Sequence, residues 1–489
     1  MNEWFAGKGK RSMRTGTCFQ TANAGRQRIF DSCVEKLRGN LQQFGSSRVL
    51  VEGGGYQKIW LETQPMGGEM YAGFDMEAAV NNSLLFLQYQ RADGRMPGSI
   101  AFRDGMVIPE YNKFQGFCFP WHALNLYYLL GKPREYLLQL RDGLSGMHSY
   151  LKKHRVNLKN GAMQSFCVYD TGEDNALRYG DSPNYWTEDD APTDYATVPM
   201  DSMDVTSWDY AACDTLCEIA GILGQENEEK LWREKAEKQR KILKEVFWDS
   251  RKHACFDRNA SGAVMPQLVH NNLRCMYWGS MTSEMAEQFT SEHLLNPDEF
   301  WTPLPLPSVS ISDPDFRNAP ENNWSGQCEG LTFQRAILAL ERYGMNETVT
   351  SLGRLFLGAL ADGGWIYPQQ FDPMTGKPTR VGMISHSPLE DGDSEPFQDA
   401  YGPTMLAALE YLAHMEGIDL EFDHVLFSAV EAECFEAARI HGDHEYRLAS
   451  DGKEAKAYLD GRLISTFPAG WRLVTDWSGN QQASLSRLG

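Results

Sequence analysis

Carboxylates cluster in four stretches of this sequence, in three of them with aromatic and amide side chains. They are Trp60-Leu-Glu-Thr-Gln-Pro-Met-Gly-Gly-Glu-Met-Tyr71, Asp170-Thr-Gly-Glu-Asp-Asn-Ala-Leu-Arg-Tyr179, Asn322-Asn-Trp-Ser-Gly326 with Glu329 just beyond, and Glu390-Asp-Gly-Asp-Ser-Glu395. A protonated carboxyl beside a leaving oxygen, with an ionised one beside a water, is the equipment of glycosidic bond cleavage. Flat indole rings suit sugar faces, although large cores also use them. Rival chemistries lack their residues. No Gly-x-Gly-x-x-Gly element stands between a strand and a helix, and there is no Walker-type loop or Gly-x-Ser-x-Gly elbow. The 11 histidines form no His-x-x-x-His pair and the ten cysteines no Cys-x-x-Cys pair, so neither a metal nor another cofactor is expected. The closest histidine spacing, His441-Gly-Asp-His444, reads as a turn.

The elements that must position these stretches are mostly helices. Asp75 is a plausible N-cap before Met76, Val80, Leu84 and Leu87, which share one helical face. Val205, Trp208, Ala212, Leu216, Ile219 and Leu223 form another face, stopped by Gly224. Trp232, Ala236, Leu243 and Val246 repeat the pattern, as do Phe333, Ala336, Ile337 and Leu340 before Gly344, and Tyr401, Met405, Ala408, Leu409 and Leu412. Weaker segments near 25–45, 116–131, 134–153, 266–290 and 346–360 bring the total to about ten to twelve helices. Many helices joined by polar, aromatic loops suggest a toroid with its loops gathered at one mouth; periodicity alone leaves an open solenoid equally open. The tail differs. Ala455, Ala457 and Leu459 alternate with polar residues, Asp460-Gly461 supplies a hairpin turn, and Leu463, Ser465 and Phe467 continue before Trp471, Leu473 and Thr475.

Composition narrows the partners. The chain has 489 residues, with 46 Lys plus Arg against 66 Asp plus Glu, a net charge of −20 that disfavours nucleic acid and anionic membranes. No apolar run reaches the roughly 18 residues of a spanning helix, and the opening lacks an apolar stretch of signal-peptide length. Scattered cysteines fit reduced thiols in a cytoplasm. Oligomeric state is not legible.

Asp170–Tyr179 resembles the Ser-Gly-x-Asp-Asn-x-x-Arg-Trp segment of the (α/α)6-barrel glycoside hydrolases, the mannosylglycerate hydrolase and processing α-glucosidase (family 63-like) group, with trehalases as more distant relatives. Other segments follow in the same order. Trp60–Tyr71 resembles the group's Phe-Trp-Asp stretch, Asp93-Gly-Arg-Met-Pro-Gly98 its Gly-x-Ile-Pro turn, and Phe119-Pro-Trp121 its paired-proline helix start. Pro199-Met-Asp201 resembles Pro-Val-Asp, Asn322–Gly326 resembles Asn-x-Trp-x-Gly, and Phe371-Asp-Pro-Met-Thr-Gly376 resembles Tyr-Asp-Pro-x-Thr-Gly. The resemblance implies a mainly α chain: an N-terminal extension over 1–20, an (α/α)6 catalytic barrel over 21–418 and a small C-terminal antiparallel β module over 419–489. Many members of the group carry a β-sandwich before the barrel; this sequence starts almost directly with a helix, so that domain is expected to be absent.

The resemblance assigns Asp174 as general acid, and neighbouring Glu173 and Asp170 are expected to raise its pKa by like-charge repulsion. The alternative is that Asp174 caps a helix or pairs with Arg178. At the group's base position, three residues before the Asp of Tyr-Asp-Pro-x-Thr-Gly, this chain has Gln369, an amide that cannot take a proton from water. Glu329 stands where the group has a second Trp, which makes it the first candidate for a displaced base; its alternative is a first-turn helix Glu. Glu395 and Asp391 are further candidates. Candidate sugar-binding residues are Trp60, Glu62, Gln64, Glu69, Arg95, Trp121, Arg178, Trp324 and Gln369, with core packing the alternative for any one Trp.

The expected function is hydrolysis of an α-glucosidic or α-mannosidic bond in a small carbohydrate substrate, with inversion. Two alternatives follow from Gln369: a carbohydrate-binding protein on an inactivated scaffold, which turnover of aryl-glycosides would eliminate, or a phosphorylase-like enzyme using an anion in place of a base. An isoprenoid cyclase on the same toroid would need an Asp-rich cation motif, which is not matched.

Overall fold

A computed structural model describes residues 13–320, 322–379, 399–482 and 486–488. Among these, twelve α-helices run in chain order: α1 Ala24–Gly39, α2 Gln64–Met70, α3 Met76–Gln88, α4 Pro120–Leu129, α5 Arg134–His154, α6 Met203–Ile222, α7 Glu226–Ile242, α8 Asn271–Trp278, α9 Ser283–Phe289, α10 Gly330–Glu341, α11 Asn346–Asp362 and α12 Gly402–Glu416. Helices α2, α4, α6, α8, α10 and α12 each pack against the next, and α12 returns to α2. A second set packs on these: α3 on α2, α5 and α7 on α6, α11 on α10, and α1 on α12.

The two sets differ in sequence for a physical reason. In α6, Val205, Ser207, Trp208, Asp209 and Ala212 are all buried, so apolar and small residues occupy every face. In α7 only Trp232, Ala236, Gln239 and Ile242 are buried, one stripe at helical spacing with charges around it. Capping follows the sequence: the Asp75 carboxylate accepts from the Ala78 N–H at 3.0 Å and starts α3.

The stretch from Glu62 to Glu69, expected to be a linker, is largely helix α2, with Pro65 in its first turn and Gln64–Glu69 buried. Gly67 and Gly68 hide it from a propensity reading, since glycine disfavours a helix and packing must override that.

The tail forms two antiparallel sheets. One orders Gly417–Glu421, His424–Ala429, Trp471–Asp476 and Ser486–Arg487; the other orders Thr15–Thr21, Cys434–His441, His444–Asp451, Glu454–Leu459 and Arg462–Pro468. Residues 15–21 therefore do not stand apart as an extension: they form the edge strand of the C-terminal sheet, with Cys18 opposite Ala438. The turn at Asp460-Gly461 joins Leu459 to Arg462 in register, and 441–444 is likewise a hairpin turn. Leu463, expected on the apolar face, is half exposed at 50%, because the register shifts beside Ala457/Tyr458 and turns it to the other side.

Buried ion pairs bolt these sheets to the helices. Arg472 reaches Glu341 of α10 at 2.7 Å, and Arg26 of α1 pairs with Glu433, beside the strand Cys434–His441, at 2.9 Å; Arg26 also ties α1 to Glu416 at the end of α12. Deleting residues 420–489 is therefore expected to cause aggregation, by uncovering apolar helix surface and stranding charges such as Glu341. A truncated chain that elutes as a monomer in size-exclusion chromatography with an unchanged melting temperature would show the tail to be an appendage.

Candidate active site

Asp174 lies in the loop between a 3-10 turn at Val168–Asp170 and another at Leu177–Tyr179. Its neighbours are pinned, each by cations. Asp170 is fully buried and accepts from Arg155 at 2.6 Å and from the N–H groups of Phe166 and Phe114 at 2.8 and 3.0 Å. Glu173 pairs with Arg178, with His270 at 2.8 Å and with Arg274 at 3.7 Å. Burial opposes these charges, yet the arginines win: both carboxyls sit below the usual carboxylate range. The repulsion expected from Asp170 and Glu173 is thus neutralised before it reaches Asp174.

What raises Asp174 is burial first and the charge of Glu62 second, offset by the Gln115 amide, which donates at 3.4 Å; together they push its carboxyl up to about 7. Such a carboxyl is about half protonated at neutral pH, which suits a proton donor.

Asp174 shares a pocket with Glu52, Tyr56, Trp60, Glu62, Gln115, Tyr169, Trp324, Leu331, Gln369 and Tyr401. Glu62 is held by Arg335 at 2.6 Å and packs against the backbone of Gly172. At Gly172, φ is +77° and an added Cβ would stand 2.1 Å from a Glu62 carboxylate oxygen. Gly172→Ala should therefore displace Glu62 and the Asp174 loop together, lowering both stability and carbohydrate affinity; unchanged thermal unfolding and sugar binding by calorimetry would contradict this.

The structure brings four of the candidate binding residues to this pocket: Trp60, Glu62, Trp324 and Gln369. Gln369 accepts from the Tyr56 hydroxyl at 2.9 Å. The other five do not line it. Gln64 accepts from the Trp60 backbone N–H at 2.8 Å and so fixes the main chain that carries this ring. Glu69 is bound to His122 at 3.0 Å and to the Asn125 amide at 2.6 Å, near Trp121, which packs edge-on against Phe422. Arg95 is fully buried beside Tyr150 and 3.5 Å from Asp189. Arg178 bridges Glu173 and Asp257 rather than Asp174.

Glu329 is 1% exposed and does not line the pocket; burial pushes its carboxyl well above the usual range, against the pull of the Asn323 amide. It precedes α10 in a short strand paired with Gln370. A general base must face the water it activates, and Glu329 lies outside this pocket, so its position does not support the expectation of Glu329 as base. Glu395 and Asp391 lie outside the described residues.

Residue-by-residue reading missed Glu52, Tyr56, Gln115, Tyr169 and Tyr401. Two signals were there to use. Gly53-Gly-Gly55 precedes Tyr56, a run that allows sharp backbone turns, and all three have positive φ. Gln115 itself has φ +56°, a conformation uncommon for a residue with a side chain. Two groups among the described residues could hold a metal ion, His148 with Asp209 and Cys213, and Asp93 with His154 and Asp189; neither includes a pocket residue. No described helix is long and apolar enough to cross a membrane.

The pocket is lined by carboxyls and by two tryptophans, and comparison with known proteins gives the class. The model of the mannosylglycerate hydrolase MGH1-like glycoside hydrolase domain matches residues 70–387, so the chain belongs to this family of glycosidases. Mannosylglycerate hydrolase of family GH63 from Thermus thermophilus, solved in complex with glucose, is similar at 16% identity with a TM-score of 0.60, over 78% of this chain and 99% of that one. Neutral trehalase Nth1 from Saccharomyces cerevisiae is similar at 12% identity and a TM-score of 0.57, over 78% and 80%. A sialidase is similar over 97% of this chain at 13% identity and a TM-score of 0.70; the chain spans 44% of that protein's length.

Proposed function

We propose that this chain hydrolyses an α-linked gluco- or manno-configured glycoside, with inversion, using Asp174 as general acid on an (α/α)6 barrel spanning the helical region up to the C-terminal sheets. The observation that carries the reading is Asp174 itself, a carboxyl with pKa about 7 beside Glu62 in a pocket walled by Trp60 and Trp324. The closed succession of six helix contacts, with further helices packed on them, supports the barrel. Trp60 and Trp324 would hold sugar faces, while Glu62, Gln115 and Gln369 would bind hydroxyls. A reducing, cytoplasmic setting suits its ten free thiols.

The test is turnover of α-glucosides, α-mannosides and the corresponding α-glycosyl fluorides by purified protein, followed by proton NMR. Release of the β-anomer first supports inversion; release of the α-anomer first refutes it. Turnover that requires phosphate and yields a sugar phosphate would favour the phosphorylase alternative that Gln369 motivates.

A further inference from the structure

The wall that carries Gln369 also carries a carboxyl. Tyr56 donates to Gln369 at 2.9 Å, its ring meets that of Tyr401 edge-on at 6.1 Å, and the Tyr401 hydroxyl donates to Glu52 Oε1 at 3.0 Å. All four side chains line the pocket shared with Asp174. Of the described carboxyls lining it, Glu62 is committed to Arg335, Asp174 is the proposed acid, and Glu52 has no cation within ion-pair distance. We propose that Glu52 is the general base of this enzyme, supplying from residue 52 the carboxylate that Gln369 lacks, with Tyr401 as its positioning residue. The inference rests on the glycosidase reading given above.

The backbone is built to keep Glu52 there. Gly402 N–H donates to the Glu52 carbonyl at 2.7 Å, tying the start of α12 to this loop. At Gly53, φ is +77° and an added Cβ would stand 2.5 Å from the Ala400 carbonyl oxygen, so the loop lies directly on residues 400–402. In the step proposed, water attacks the anomeric carbon while Glu52 takes its proton. The bond from that carbon to the glycosidic oxygen breaks, its electron pair stays on the oxygen, and Asp174 protonates it. One water is consumed, and both carboxyls are reset by proton exchange with solvent.

Burial first, then Glu62 and Asp174, push the Glu52 carboxyl well above the usual carboxylate range, against the pull of the Tyr401 and Thr63 hydroxyls. In the working state Asp174 is protonated, so its repulsion of Glu52 disappears.

The test uses α-glucosyl and α-mannosyl fluoride, whose leaving group needs little protonation, so that loss of rate reports the base. Glu52→Gln should lower kcat by at least 100-fold with little change in KM. Added azide should restore turnover of Glu52→Ala and give the β-glycosyl azide, which also shows that the variant is folded. Tyr401→Phe should raise the pH at which the acidic limb of kcat/KM falls, since it removes a donor to the ionised carboxyl. A Glu52→Gln enzyme within threefold of the parent, or a Glu52→Ala enzyme that azide does not rescue, would overturn the assignment while leaving an active parent, and hence the glycosidase reading, intact. A parent that turns over neither fluorides nor glycosides would overturn both.

Discussion

Asp174→Asn is expected to abolish cleavage of glycosides with poor leaving groups, by two to four orders of magnitude in kcat, and to cost far less on α-glycosyl fluorides. The reason is that fluoride departs with little protonation, whereas a sugar or alkyl oxygen does not. The parent enzyme should lose kcat/KM on alkyl glycosides as pH rises through about 7, because the proton to be donated is leaving Asp174. On fluorides that limb should be weak. The same substitution should also stabilise the fold. A carboxyl raised above its unfolded value of about 3.9 destabilises the native state once the unfolded chain can ionise. The gain in melting temperature should be near zero below pH 4 and should grow up to about pH 7. Equal, mild losses on both substrate types, with no pH-dependent gain in stability, would remove Asp174 from the acid role.

Much of the scaffold was legible because its signals are local. The apolar stripe of α7 and the cap at Asp75 are determined by residues three and four apart, and the hairpin at Asp460-Gly461 by two. The helix α2 was not, since its Gly67 and Gly68 disfavour helix and only the ring of neighbours imposes it. The strand Thr15–Thr21 was hidden for a related reason: its partner, Cys434–His441, is more than 400 residues away. No local pattern reports such pairing.

The site divides along the same line. Trp60, Glu62, Trp324 and Gln369 stood out because polar loops around aromatic residues are unusual as core, and these do line the pocket. Arg95 and Arg178 looked equally suited to sugars, yet their charges serve carboxylates of the scaffold, the part-exposed Asp189 and the buried pair Glu173 and Asp257. Sequence proximity suggested that Glu173 governs Asp174, whereas Arg178 of the same motif, together with the distant Arg274, cancels Glu173 and leaves Glu62, more than 100 residues away, as the charge that matters. Electrostatics at this pocket is a property of three-dimensional pairing.

That pairing can be tested at its centre. Arg335 is 1% exposed and holds Glu62 at 2.6 Å, with Arg274 as a weaker partner at 3.8 Å. Arg335→Met should cost about 3 kcal/mol, at the lower end for a broken buried pair because Arg274 remains. The loss should depend on pH. Burial already raises the Glu62 carboxyl, and Arg335 is the first of the groups that hold it down, so removing Arg335 raises it further. A carboxyl raised in the folded state weakens the fold as pH climbs from its unfolded pKa to its folded one, so the variant should be less impaired at pH 5 than at pH 8. Glu62→Gln in the same chain should remove that pH dependence and recover much of the stability, because a neutral amide no longer needs the guanidinium. It should not recover catalysis, since Glu62 also helps to keep Asp174 protonated. Denaturant unfolding of the single and double variants at the two pH values decides the matter. A double variant as unstable as Arg335→Met, with the same slope in pH, would mean that Arg335 acts through packing and that the charge beside Asp174 is balanced elsewhere.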